Sequence, residues 1–234
     1  MTDIKGIIFD YGGTLDTNGT HWFHIFRNTY APHLPHITEE QLRQAYVHAE
    51  RYLATHPVIV PTDDFLAMLK KKVALQFTAL GIEDAALAST IAHECDSLVR
   101  TNMEHTRHVL STLSARYPLV LVSNFYGNIH TVLRTYSLDT YFREVIESAV
   151  VGIRKPDPQI FALGIAALGM HPHEVLVVGD SYSKDIVPAH SLGCRTLWLK
   201  GPGWDDTDDS AIAPCAHAVI SKLTEIVEAN ELVC

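Results

Sequence analysis

Two textures alternate along the chain. Short runs of β-branched and aliphatic residues, each bounded by Gly, Asp or Ser, occur at positions 4–10, 119–123, 175–179 and 195–199, with weaker runs at 144–147 and 216–220. Runs of that length and composition predict buried β-strands. Between the later runs lie amphipathic segments at 108–117, 127–136, 157–168, 184–192 and 223–229, whose apolar positions recur with the helical period. Strand and helix in strict alternation predict a parallel sheet covered on both faces, because right-handed crossovers deliver a helix to each face.

The interval from 17 to 104 breaks this rhythm and reads as helical almost throughout. Thr38 and Gln41 have the spacing of a capping box, after which Leu42, Tyr46, Ala49 and Leu53 trace one helical face. Thr62 is placed to cap a second helix carrying Leu66, Leu69, Val73 and Phe77, which Gly81 ends. A third helix is expected from Asp84, with Leu87, Ile91, Leu98 and Met103 inward. The predicted organisation is a discontinuous α/β core, residues 1–16 and 105–234, interrupted after its first strand by a helical module, residues 17–104. Hinges are expected at 17–20 and 102–107.

Composition narrows the function. The chain has 234 residues, enough to bury a sizeable interior, and its 18 Lys+Arg against 27 Asp+Glu give a formal charge of -9. No basic run exceeds Lys70, Lys71 and Lys72, which argues against a nucleic-acid partner. Cys95, Cys194, Cys215 and Cys234 are far apart and form no CxxC pair, so neither a disulfide framework nor a zinc site is expected. With no signal-peptide pattern and no apolar run of membrane-spanning length, a cytoplasmic protein with no membrane partner is expected.

In an open parallel sheet ligands bind beyond the carboxyl ends of the strands, so the polar residues found there carry information. Asp10 and Thr14 follow the first run, Ser123 and Asn124 the second, Lys155 the third region, and Asp180 and Asp185 the fourth. Taken singly, each has a bland reading as a turn acid, a helix cap or a surface lysine. Their joint occurrence along one sheet edge favours a site that joins an anionic cluster to a cation.

The stretches FDYGGTLD, LVLVSN, GIRKPDPQIF and VVGDSYSKDIVPAHSLG, in that order, resemble the four motifs of the haloacid dehalogenase-like hydrolase superfamily. The helical interval resembles that family's cap, and the core its Rossmann-like sheet. The resemblance implies phosphoryl transfer through an aspartyl-phosphate on Asp10. Thr14 and Ser123 would donate to the phosphoryl oxygens, and Lys155 would supply positive charge beside them. Gly13 and Asn124 would contact substrate. Asp10, the Gly12 carbonyl, Asp180 and Asp185 would hold Mg2+, which suits an all-oxygen donor set. The partner implied is a small phosphorylated metabolite, handled by a monomer or homodimer.

One position departs from the pattern. The phosphatase branch normally has an aspartate two residues after the nucleophile, as the general acid and base, and here Gly12 stands there. The departure predicts weak turnover of alkyl phosphates and a bias towards acyl, enol or aryl phosphates. Asp16, His21 and His24 are candidate substitutes. Two alternatives stay open: a phosphonatase-like C–P hydrolase using a cap lysine among Lys70, Lys71 and Lys72, and a catalytically weakened protein that only binds a phosphate ligand. Three adjacent lysines on a helix ordinarily form a solvated face. Trp22, Phe23, Tyr46 and Tyr52 are candidate pocket residues, and the acidic stretch WDDTDDS, 204–210, reads as a solvated loop.

Overall fold

The computed structural model of the chain describes residues 4–204 and 214–228. Six strands, β1 (Gly6–Phe9), β2 (Leu119–Ser123), β3 (Phe142–Glu147), β4 (Val175–Gly179), β5 (Arg195–Leu199) and β6 (Ala218–Ile220), form one sheet in the order β3-β2-β1-β4-β5-β6. Every pairing is parallel. β1 occupies the middle, and the chain builds outward first to one side and then to the other, so a crevice opens at the carboxyl end of β1. β1, β2 and β4 are buried along their whole length, as their uninterrupted apolar runs require, whereas the edge strands β3 and β6 mix buried and exposed positions.

The pleat divides each central strand between two cores. Ile8, Val120, Val122 and Val177 point to the face covered by α7 (Gln159–Leu168) and α8 (Val187–Ser191). Ile7, Phe9, Leu121 and Val178 point to the other face, where Val109, Leu110 and Leu113 pack, as do Val132 and Leu133 of α5 (Ile129–Thr135) and Ile226 of α9 (Glu225–Glu228). This second core runs without interruption into the helical insert, through Tyr11, which meets Phe65 and Phe125 edge to face.

The insert comprises α1 (Trp22–Tyr30), α2 (Glu39–Thr55), α3 (Phe65–Leu80) and the first part of α4 (Ala85–Ser114). Thr38 and Gln41 close the expected capping box, and Gly81 ends α3 in the left-handed conformation. Several local expectations are corrected. Asp64, not Thr62, caps α3, because its carboxylate accepts from Ala67 N at 2.8 Å. Leu98 is 51% exposed and Val99 takes the inward position. Ser181 caps the turn Tyr182–Ile186, which is π-helical and precedes α8, inside the segment 184–192 expected as one helix. Pro158 takes the cap position of α7, and Asp157 accepts from Gln159 N at 2.9 Å.

The largest correction concerns the return to the core. The segments expected as separate helices on either side of 102–107 are one helix, α4, of 30 residues, so the boundary placed at 104/105 falls inside a continuous helix. No Gly or Pro interrupts this stretch, and Met103, Thr106, Val109 and Leu110 carry one buried stripe straight through it. Among the described residues no helix is long and apolar enough to cross a membrane. The acids of the stretch after Trp204 lie outside the described residues, as does Cys234, and Cys95, Cys194 and Cys215 are free.

Candidate active site

β1 ends at Phe9 and hands Asp10 to the crevice, where the residue is 5% exposed. Four other segments bring their polar residues to it. Lys155 Nζ lies 2.5 Å from Asp10 Oδ1 and 2.7 Å from Asp185 Oδ1. Ser123, the last residue of β2, donates to Asp10 Oδ1 at 3.4 Å. Thr14 Oγ1 lies 3.3 Å from Asp10 Oδ2 and 3.2 Å from Asp180 Oδ1, and it accepts from Asp180 N at 3.0 Å. Asn124 sits one layer back. Its side chain accepts from Lys155 N at 2.9 Å and donates to Lys155 O at 3.0 Å, a two-point clamp that fixes the backbone carrying the lysine.

Two glycines make this density possible. A Cβ on Gly13, whose φ is +95°, would lie 2.3 Å from an Asp180 carboxylate oxygen. A Cβ on Gly179 would lie 2.4 Å from Asp185 Cβ. Any side chain at either place would push the acids away from Asp10. Gly12 is different: a Cβ there meets nothing within 4 Å, and the position opens into the cavity.

Carboxylate oxygens of Asp10, Asp180 and Asp185 lie within 4.8 Å of one another. Burial pushes the Asp10 carboxyl up to about 6, against the opposing pull of Lys155. Asp180 is pushed well above the usual carboxylate range, by burial first and then by the charges of Asp10 and Asp185. Burial alone would lower the Lys155 ammonium, but Asp10 and Asp185 outweigh it and the group is held charged. Three clustered acids, Asp10 and Asp185 buried and Asp180 half-buried, against one lysine leave an excess of negative charge, which a hard cation with oxygen ligands would neutralise. Asp185 has both oxygens engaged, one with Lys155 and the other accepting from Ser181 N at 3.0 Å. Asp185 thus also positions Lys155, and all three acids stand within reach of such an ion.

Of the candidates for the vacant acid position, Asp16 and His21 line the cavity and His24 does not. Asp16 accepts from Gly13 N and from Trp22 Nε1, both at 2.7 Å, so its two oxygens hold the turn that follows β1. Burial pushes its carboxyl up to about 7. His21 accepts from Phe23 N at the start of α1 and is lowered to about 4, mainly by burial. Nε2 of His24 is tied to the Gly203 carbonyl at 2.6 Å.

The cavity above Asp10 measures about 560 Å³ and is closed from the insert side by Trp22, Tyr46, Phe65 and Met68. Phe23 and Tyr52 do not line it, contrary to the sequence expectation; Phe23 is fully buried within the insert. A wider groove of about 890 Å³ runs along α2 and contains none of the clustered acids. Among the lining residues that sequence reasoning did not single out are Glu50 and Tyr126, and it named Lys72 only together with Lys70 and Lys71. Lys72 carried a signal that went unused. It shares the apolar stripe of α3 with Phe65, Met68, Leu69 and Gln76, and it is 5% exposed rather than solvated with its neighbours.

A family model described as haloacid dehalogenase-like hydrolase matches residues 4–193. Among curated proteins, a glyceraldehyde 3-phosphate phosphatase of Pyrococcus furiosus is 33% identical over 94 residues, 40% of this chain and 39% of that protein. A phosphoserine phosphatase of Thermus thermophilus is 41% identical over 59 residues, 25% of this chain and 24% of that one. The matched segments thus span well under half the length of these relatives. Among solved structures, a dehalogenase with an intermediate complex superimposes with a TM-score of 0.63 at 20% identity, covering 97% of both chains. A magnesium-bound HAD-hydrolase YfnB of Bacillus subtilis gives 0.58 at 16% identity, over 97% of this chain and 98% of that one. At such identities the likeness is one of fold.

Proposed function

The chain belongs to the haloacid dehalogenase-like hydrolase family, and from that premise we propose that it is a magnesium-dependent phosphatase that cleaves a small-molecule phosphate ester through an aspartyl-phosphate on Asp10. The observation that carries this reading is the convergence of Asp10, Thr14, Ser123, Lys155 and Asp180 at one sheet edge beneath a cavity that the insert partly covers.

An Asp10 carboxylate oxygen attacks phosphorus, the bond from phosphorus to the ester oxygen breaks, and the departing oxygen takes a proton from water. Water then attacks the phosphorus of the aspartyl-phosphate, releasing inorganic phosphate and restoring the carboxylate. Thr14 and Ser123, each within reach of one Asp10 oxygen, donate to the phosphoryl oxygens. Lys155 holds its charge beside them, positioned by Asp185 and by the Asn124 clamp. Asp10, Asp180 and the Gly12 carbonyl would hold magnesium, which when bound offsets the negative charge of acids and phosphate. Gly12 brings no carboxyl, so leaving groups that depart without a proton are favoured: acyl, enol and aryl phosphates.

A Schiff-base route to C–P cleavage finds less support. Lys72 alone of the three lysines lines the cavity, while Lys71 pairs with Asp63. Burial would lower the Lys72 ammonium, but Glu50 outweighs burial and keeps it charged, the wrong form for attack on a carbonyl. The deciding experiment is a magnesium-dependent screen over acyl, aryl and alkyl phosphates with the parent and the Asp10→Asn variant. Turnover that vanishes in the variant supports the reading. Phosphate binding without hydrolysis of any ester would transfer the protein to the ligand-binding class.

A further inference from the structure

Beyond β5 the core reaches up to the insert. Residues 201–204 leave the sheet and lie against the start of α1 and the flank of α2. Pro202 O accepts from His21 N at 2.9 Å, Gly203 O meets His24 Nε2 at 2.6 Å, and Trp204 O accepts from Arg43 Nη1 at 3.0 Å. The Trp204 ring then enters a box made by the insert, edge to face with His21 at 5.4 Å and Phe23 at 5.6 Å, and tilted against Tyr46 at 5.6 Å. The Arg43 guanidinium closes the box, 4.5 Å from the Trp204 ring centre and 4.2 Å from that of Phe23. Underneath, backbone touches backbone. A Cβ on Gly201 would lie 2.2 Å from the carbonyl oxygen of Gly19, in the first link between core and insert.

Modules joined by flexible links move relative to each other unless an apolar interface restrains them. Here the restraint bears on the cavity above Asp10. His21, Tyr46 and Trp204 line that cavity, whereas Phe23 and Arg43 stand outside it. Resting on the phosphatase reading, we propose that Trp204 and Arg43 are positioning residues, the anchor of a brace by which the core holds the insert's wall of the cavity in place before substrate arrives. The two residue types suit that task. Trp204 offers a large, rigid ring, and the flat Arg43 guanidinium stacks on it while still donating to its carbonyl, which an ammonium cannot do. Such a brace acts on binding and not on the chemical step. A wall that is in place only part of the time lowers the apparent affinity by that fraction, while the assembled complex reacts at its normal rate.

The test uses Trp204→Ala, Trp204→Phe, Arg43→Met and Arg43→Lys in the full chain. Hydrogen exchange at the His21 amide, which the brace covers, needs no turnover. Measured against the amides of β2 and β4, it should quicken about tenfold in Trp204→Ala and Arg43→Met and much less in Trp204→Phe, which keeps a ring in the box. With p-nitrophenyl phosphate, KM should rise about tenfold in the same two variants while kcat stays within about twofold. Because Arg43 does not line the cavity, its effect on KM cannot come from a lost contact with substrate. Arg43→Lys keeps the charge without the flat face and should resemble Arg43→Met. The double variant Trp204→Ala with Arg43→Met should be little worse than Trp204→Ala, since both act through one contact. If Trp204→Ala fails to fold, Arg43→Met, at a half-buried position of α2, reads the same two quantities. Absence of hydrolysis counts against the phosphatase reading alone, because the exchange measurement stands without it. Unchanged exchange at His21, a fall in kcat at constant KM, or effects that simply add in the double variant overturns the brace.

Discussion

Gly12 is a position where chemistry is missing but space is not. Because a Cβ there touches nothing within 4 Å and the residue faces the cavity, an aspartate fits without moving the Asp10 turn. Gly12→Asp is expected to raise kcat for alkyl phosphates by about 10²- to 10⁴-fold, the usual worth of general acid-base catalysis, and to help p-nitrophenyl phosphate far less. Steady-state rates on the two ester types check it, and equal gains on both would show that leaving-group protonation is not what the position lacks. Asp16 offers a second measurement. Its carboxyl sits at about 7 because burial disfavours the charged form, above its ordinary value of 3.8. A raised acid binds its proton more tightly in the folded state, so its stabilising contribution is complete below pH 3.8 and is lost as the pH rises through about 7. Urea unfolding of the parent and of Asp16→Asn should therefore show the parent's advantage shrinking between pH 4 and pH 7.5, whereas a constant gap would mean that Asp16 stays ionised throughout.

Among the elements, α4 does something its sequence did not announce. It carries Asn102 and Thr106 against the first connection: Asn102 Nδ2 donates to the carbonyls of Leu15 and Asp16, each at 3.1 Å, and the Thr106 hydroxyl donates to Leu15 O at 2.7 Å. The segment expected to be a hinge is a clasp that joins the helix to the turn after β1. Thr106→Val keeps the shape and removes a fully buried hydroxyl, so it should cost about 1–3 kcal/mol in chemical denaturation. A loss under half of that would indicate that the clasp is slack. The strands were readable because a central parallel strand must be apolar on both faces, and the runs at 119–123, 175–179 and 195–199 fall on β2, β4 and β5 residue for residue. The polar residues at strand ends were readable for the same reason, since the strand that ends there fixes where they go. α4 was divided because nothing local distinguishes one long helix from two short ones when a module boundary is expected between them. Glu50 was missed, and Lys72 was not told apart from Lys70 and Lys71, because their meaning depends on how α2 and α3 pack, which helical periodicity alone does not determine.

In the molecule as a whole, the charge concentrated at the crevice ties stability to the ionic environment. Asp10 and Asp180 both hold protons more tightly than ordinary carboxylates do, because burial acts on each first, joined by repulsion from Asp185 on Asp10 and from Asp10 and Asp185 on Asp180. A cation that binds the folded chain must compete with those protons, and its binding stabilises the fold by mass action, about 2.7 kcal/mol at a hundredfold excess over its dissociation constant. Magnesium should therefore raise the melting temperature at pH 7.5 and do so much less at pH 5, below the value of about 6 to which Asp10 is pushed. Asp180→Asn should abolish the magnesium-dependent shift while leaving a folded protein, since it removes one member of a repelling cluster. Calcium, which tolerates looser oxygen cages, provides the control for geometry. Thermal melts with and without magnesium at the two pH values decide the point, because protons and metal compete for the same carboxylates only if the crevice is the binding site. A shift that persists undiminished at pH 5, or survives in Asp180→Asn, would place the ion elsewhere on this acidic chain.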